Sequence, residues 1–93
     1  MRSIKYTSQF RRDLRRERSG IYGKSLEKLL NDVTRLLVHD EPLPPRYCDH
    51  PLKGIFNDSR DCHIKPDLIM IYSKANIDIL ELIRLGSHSE LGL

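Results

Sequence analysis

Five residues in the second half of the chain have types suited to chemistry: His50, in Asp49-His50-Pro51-Leu52, then His63, Asp67, Arg84 and His88. Imidazole is the side chain whose unperturbed pKa lies nearest neutrality, so three of the four histidines set near an Asp and an Arg point to acid-base chemistry. Local patterns predict how four of the five meet. Asn57 to Ile64 has a strand pattern, Lys65-Pro66-Asp67-Leu68 predicts a tight turn with Pro at its second position, and Leu68 to Ser73 is a short apolar run suited to a buried strand. A further turn at Lys74-Ala75-Asn76 leads into a strand from Ile77 to Leu85, and antiparallel pairing would set Arg84 roughly opposite the Pro66-Asp67 turn. His63, Asp67, Arg84 and His88 would then share one end of one sheet. His50 lies outside this ladder, and periodicity does not place it.

The elements that must hold this sheet lie upstream. Ser3 to Tyr6 predicts a short strand, and Thr7 or Ser8 offers an N-cap to a helix with Phe10 and Leu14 at i, i+4 spacing, ended near Gly20. A second helix, from Ile21 or Ser25 to Val38, gathers Leu26, Leu29, Leu30, Val33, Leu36 and Leu37 on one face to cover the sheet. Pro42, Pro44 and Pro45 forbid its continuation. The predicted fold is α+β, in the order β-α-α-β-β-β, an antiparallel sheet packed on two N-terminal helices with a short tail from Ser87 to Leu93. At 93 residues it reads as one domain, 1–93, whose core buries roughly 60 to 70 % of the unfolded surface.

Charge narrows the class of partner. Lys+Arg 16 against Asp+Glu 13 gives +3 overall, but Met1 to Arg35 holds ten basic and four acidic residues (+6), leaving −3 for the remainder. That asymmetry favours a polyanion. The run Arg11, Arg12, Arg15, Arg16 and Arg18 suits contact with an RNA backbone, most directly through Arg11, Arg15 and Arg18, although a solvated helix face explains it equally well. No apolar leader opens the chain and no apolar run approaches the roughly 18 residues that span a bilayer, so the expectation is a cytoplasmic protein with no membrane partner. The two cysteines read as thiols. Cys48, His50, Cys62 and His63 have zinc-ligand types, but neighbours on a strand point to opposite faces, so Cys62 and His63 would not share an ion; no metal and no cofactor is expected. His39 reads as a helix C-terminal histidine favoured by the dipole.

Three blocks carry a resemblance: Asp49-His50-Pro51-Leu52-Lys53-Gly54, then Arg60-Asp61-Cys62-His63-Ile64-Lys65-Pro66-Asp67-Leu68-Ile69-Met70-Ile71-Tyr72, then Ile83-Arg84-Leu85-Gly86-Ser87-His88. In this order they resemble the YafQ branch of the RelE/ParE toxin superfamily, across essentially the whole chain. The resemblance implies a RelE-like fold and a metal-independent endoribonuclease that enters the ribosomal A site and cuts the message being translated. It implies two partners: the ribosome with its messenger and ribosomal RNA, and a small acidic antitoxin of the DinJ/RelB kind. It places the functional residues on His50, His63, Asp67 and His88, with Arg84 facing phosphate. Two positions depart from the pattern: Gly92 stands where relatives carry an aromatic, and Leu68 where they often carry Trp. Base stacking is worth roughly 1 to 3 kcal/mol per base, so codon preference or rate should differ from better-known members.

These residue types suffice for RNA cleavage by its own 2′-OH, which needs a base, an acid and a cation. The expectation is His88 as acid, Asp67 with His63 at the 2′-OH, His50 in support and Arg84 on the phosphate, although groups in one site titrate together and the acid and base roles stay open. Pairing of Arg84 with Asp78 or Glu81 is an equal alternative, and Asp67 also suits a mere turn former. Two other classes compete: a ParE-like gyrase poison, which needs no histidine set, and a non-catalytic basic RNA-binding module.

Overall fold

A computed structural model describes residues 1–93. Strand β1 (Ser3–Tyr6) leads into helix α1 (Ser8–Arg18), where Thr7 is the N-cap and its side chain accepts from the Phe10 N–H; the helix ends on Ser19, just before Gly20. Helix α2 (Leu26–Val38) follows from Ser25. Then come β2 (His50–Pro51), β3 (Arg60–Lys65), β4 (Leu68–Ser73), β5 (Ile79–Gly86) and a four-residue helix α3 (His88–Leu91), where the sequence predicts a plain tail. Single 3-10 turns occupy Pro45–Tyr47 and Gly54–Phe56.

The strands form one sheet in the order β1-β5-β4-β3-β2. The β3-β4-β5 meander is antiparallel, as its short connections require. The edge pair β1 and β5 is parallel, which corrects the all-antiparallel expectation: nearly the whole chain separates them, and no hairpin constrains their direction. The brief β2 corrects a second one, since His50 lies opposite Asp61 within the ladder. Arg84 pairs with Ile71 rather than facing the Pro66-Asp67 turn; Ile83 is an extra residue on β5, between Arg84 opposite Ile71 and Leu82 opposite Tyr72, and this bulge shifts the register.

The main core lies under the helices, where Phe10 of α1 and Leu26, Val33 and Leu37 of α2 meet Leu68, Met70, Tyr72, Leu80, Leu82 and Leu85. A smaller cluster covers part of the other face: Ile69, Ile71 and Leu91, with Leu52, Phe56 and Ile83 against them. Strand β4 is therefore buried on both sides, which explains its unbroken apolar run. Beyond Tyr6 the open edge of β5 is covered by α1. Thr7 Oγ1 donates to Ile83 O (2.8 Å), the Leu85 N–H donates to Asp13 Oδ2 (3.0 Å), and Arg16 Nη2 donates to Leu85 O (2.7 Å), so helix side chains replace a neighbouring strand.

Candidate active site

Strand register sets out the site on the sheet face turned away from the two long helices. His50, Asp61, Ile71 and Arg84 form one cross-strand row, and His63, Ile69 and Gly86 the next. The two-residue turn after β3 supplies Asp67, and α3 supplies His88 as its first residue. That helix is short but well capped, since Ser87 accepts from the Glu90 N–H and the Glu90 carboxylate accepts from the Ser87 N–H.

Asp67 and His88 are tightly joined. Asp67 Oδ1 accepts the His88 backbone N–H (3.0 Å) and lies 2.7 Å from its Nδ1. The backbone bond first, then the side-chain bond, hold the Asp67 carboxyl below the usual carboxylate range. Because Nδ1 faces an acceptor it carries the proton, and Nε2 is the nitrogen left to meet a substrate. The hydrogen bonds of Asp67 thus go to His88, because the β3-β4 turn and the N-terminus of α3 meet at one sheet end. The ring of His63 lies 5.4 Å from that of His88 and 6.4 Å from that of His50, so three imidazoles run in a line across the open face.

His50 is placed by a pinned loop. Cys48 adopts a left-handed backbone (φ 48), and the next residue, Asp49, accepts from Tyr72 Oη (2.5 Å) and from Arg60 Nε (3.2 Å). His50 Nδ1 then lies 2.8 Å from Cys48 O and 3.0 Å from Asp61 Oδ1. Both neighbours are acceptors, so Nδ1 is again protonated and Nε2 free. The hydrogen bond runs to Cys48 O, which leaves Asp61 Oδ1 buried without an aligned donor. Burial pushes the Asp61 carboxyl above its ordinary value against the pull of His50 and His63. Nothing in the sequence pattern singles out Asp61 as a site residue on its own. A signal for it exists all the same, since i, i+2 spacing from His63 on a strand puts both on one face.

Arg84 shares the row of Asp61, two strands and about 10 Å away, with His50 one strand further. Its Nε and Nη2 donate to Asp13 of α1 (2.7 and 3.3 Å), neither Asp78 nor Glu81 being its partner. Burial raises the Asp13 carboxyl, but the bonds from Arg84 and the Leu85 N–H, with the charges of Arg84 and Arg16, together hold it below its ordinary value. On α1, Arg11, Arg12, Arg15 and Arg18 are exposed. Arg16 differs: besides Leu85 O it bonds Asp13 (3.1 Å), Glu17 (3.0 Å) and Glu90 (3.0 Å), tying α1 to the helix that carries His88.

No group of three or more His, Cys, Asp or Glu side chains is arranged to hold a metal ion, and Cys62 is buried in the core under the helices while the neighbouring His63 lies among the imidazoles. Leu68 and Gly92, at the two positions where the resemblance implies an aromatic residue, also have structural reasons. Leu68 belongs to that same core, and Gly92 caps α3 with φ 72, a backbone that an aromatic residue would strain.

Residues 2–92 match the family model described as the bacterial toxin of a type II toxin-antitoxin system, YafQ. The mRNA interferase toxin YafQ of Escherichia coli K12 is 37 % identical over 90 residues, covering 97 % of this chain and 95 % of the relative. A metal-bound toxin from Helicobacter pylori superposes with a TM-score of 0.81 at 41 % identity, covering 98 % of this chain and 99 % of that one. The E. coli DinJ-YafQ complex contains a chain that superposes at 0.79 with 33 % identity, covering 98 % of both. The chain belongs to the YafQ family of type II toxin-antitoxin toxins.

Proposed function

We propose that this toxin is a cytoplasmic endoribonuclease that cuts messenger RNA on the translating ribosome without needing a metal ion, and that a co-expressed acidic antitoxin neutralises it. One domain, 1–93, carries the activity. The observation that supports this reading best is the Asp67-held His88, 5.4 Å from His63 on an open sheet face. In the cleavage, the 2′-oxygen attacks the adjacent phosphorus and its proton passes to a base; the bond from phosphorus to the 5′-oxygen breaks, and an acid protonates the departing oxygen. The products are a 2′,3′-cyclic phosphate and a 5′-hydroxyl. His88, oriented by Asp67, is the acid: as the imidazolium it keeps its Nδ1 proton on Asp67 and gives its Nε2 proton to the departing oxygen, ending as the neutral ring. His63 and His50 serve the 2′-OH, with the Cys48 carbonyl holding the His50 ring and the buried Asp61 carboxylate 3.0 Å behind its Nδ1. Arg84, whose Nε and Nη2 are taken by Asp13, has Nη1 left to donate to the phosphate.

The relatives named as messenger interferases, and the DinJ complex of one of them, support the substrate class and the kind of partner. The deciding experiment is message-end mapping after brief induction, beside single-turnover cleavage on programmed ribosomes with His88→Ala. Loss of a general acid costs about 10² to 10⁴ in rate. His88→Ala should therefore fold, occupy the ribosome and bind antitoxin, yet leave messages intact and growth near normal. Cleavage within about threefold of the parent would pass the acid role to another residue. Uncut messages in the parent would end the nuclease reading.

A further inference from the structure

Strand β2 pairs only with Arg60 and Asp61, so the edge of β3 beyond them has no strand beside it. A cleft of about 570 Å³ lies along that edge, walled by α2, the Pro45–Tyr47 turn and the end of the β3-β4 hairpin. His63 forms part of its wall, which makes it continuous with the line of imidazoles. Leu29, Tyr47 and Ile64 give it an apolar floor, and two exposed cations, Arg46 and Lys65, stand at its rim. The Arg46 guanidinium is 4.9 Å from the centroid of the Tyr47 ring and donates to Tyr47 Oη (3.2 Å), so its plane is held against the turn. The sole carboxylate of the lining, Asp32, is bonded to Lys28 (2.8 Å) and also attracts the Arg46 guanidinium, whereas Lys65 has no carboxylate partner and is open to an anion.

From this arrangement we infer that the cleft is a subsite for the nucleotide next to the scissile phosphate, a proposal that rests on the nuclease reading above. A single strand lying across His50, His63 and His88 must continue past the sheet edge, and here it meets what such a strand binds: a cation for its phosphodiester, Lys65, and a fixed planar guanidinium over an apolar floor for its base, Arg46. The volume falls in the range of small-molecule pockets, roughly 300 to 1,000 Å³. In this chain, where Gly92 and Leu68 offer no aromatic to a base, the Arg46-Tyr47 pair supplies the flat surface.

The test is single-turnover cleavage of ribosome-bound message across toxin concentrations by the parent, by Arg46→Ala with Lys65→Ala, and by Arg46→Lys, each checked for folding by circular dichroism. The double variant should raise the half-saturating concentration about tenfold or more, with the saturated rate within about threefold of the parent. Its salt dependence should be shallower by about 0.7 in log-log slope for the lost phosphate contact. Arg46→Lys, which keeps the charge and loses the plane, should weaken binding in a manner that depends on the neighbouring base. An unchanged half-saturating concentration overturns the subsite and leaves the nuclease reading standing. The subsite is equally overturned if only neutralisation by antitoxin is lost, since the cleft would then hold a protein segment. A parent that leaves message uncut overturns both. If Arg46→Ala unfolds the turn, Lys65→Ala alone, at an exposed hairpin position, decides between the same outcomes.

Discussion

At the scale of single residues, Asp61 is the clearest mark of a site kept at the expense of stability. It is 3 % exposed, and one of its carboxylate oxygens has no aligned donor. A carboxyl whose folded pKa is raised binds its proton more tightly when folded, so it stabilises the fold below the ordinary carboxylate range and loses that advantage as pH rises toward the raised value. Asp61→Asn keeps the shape and removes this penalty. Its melting temperature at neutral pH should equal or exceed the parent's, while cleavage falls about 10- to 100-fold through loss of the carboxylate behind His50. Thermal melts beside single-turnover rates check both halves. A melting temperature well below the parent's would make Asp61 a structural residue.

Among the elements, α1 has two roles that its run of arginines does not separate. Asp13 and Arg16 close the edge of β5, whereas Arg11, Arg15 and Arg18 face solvent. Changing those three to Glu should leave the melting temperature nearly unchanged, since exposed charges contribute little to stability, yet weaken ribosome association and flatten its dependence on salt. Sedimentation with ribosomes over a salt series reads this out, and unchanged binding would make them a solvated face. Asp13→Ala should do the reverse. It strands the Arg84 charge and the Leu85 N–H, costing about 3 kcal/mol, which for a chain of this size lowers the melting temperature by roughly 10 °C or more. Asp13 has a depressed pKa, so its contribution is present above the ordinary carboxylate range and is lost as pH falls through the lowered value. Acid unfolding of the parent and of Asp13→Ala should converge there, and a constant gap between them across pH would refute the pairing as its source.

For the molecule as a whole, the features divide by face. One side of the sheet is filled by α1 and α2; the other carries the three imidazoles, two of them about half exposed, over a small apolar patch around Ile69, Ile71 and Leu91. An inhibitor of such a nuclease works most directly by covering that open face. Co-expression of the neighbouring acidic antitoxin should restore growth, and in the complex His63 and His88 should be protected from solvent, as read by histidine hydrogen-deuterium exchange. A complex that suppresses cleavage while both histidines exchange as in the free toxin would require inhibition from elsewhere, with the basic face of α1 the first place to look.

The features readable from the chain alone are those that short-range physics controls. The Pro66-Asp67 turn, the unbroken apolar run of β4, the Thr7 cap and the leucine stripe of α2 were all legible because each rests on residues within a few positions of one another. The candidate site was half legible in the same sense, since β3, its turn and β4 bring His63 and Asp67 to one hairpin. The tertiary structure decided the rest, through contacts between residues far apart in the chain. Asp13 reaches Arg84 across 71 positions and Asp67 reaches His88 across 21, and neither choice of partner has a periodicity. The parallel pairing of β1 with β5, the bulge at Ile83 that sets Arg84 opposite Ile71, and the two-residue strand that brings His50 to Asp61 belong to the same class. A pattern of side chains specifies which face of an element is buried; which strand lies beside it, and which charge its polar groups find, is settled only when the whole sheet closes on its helices.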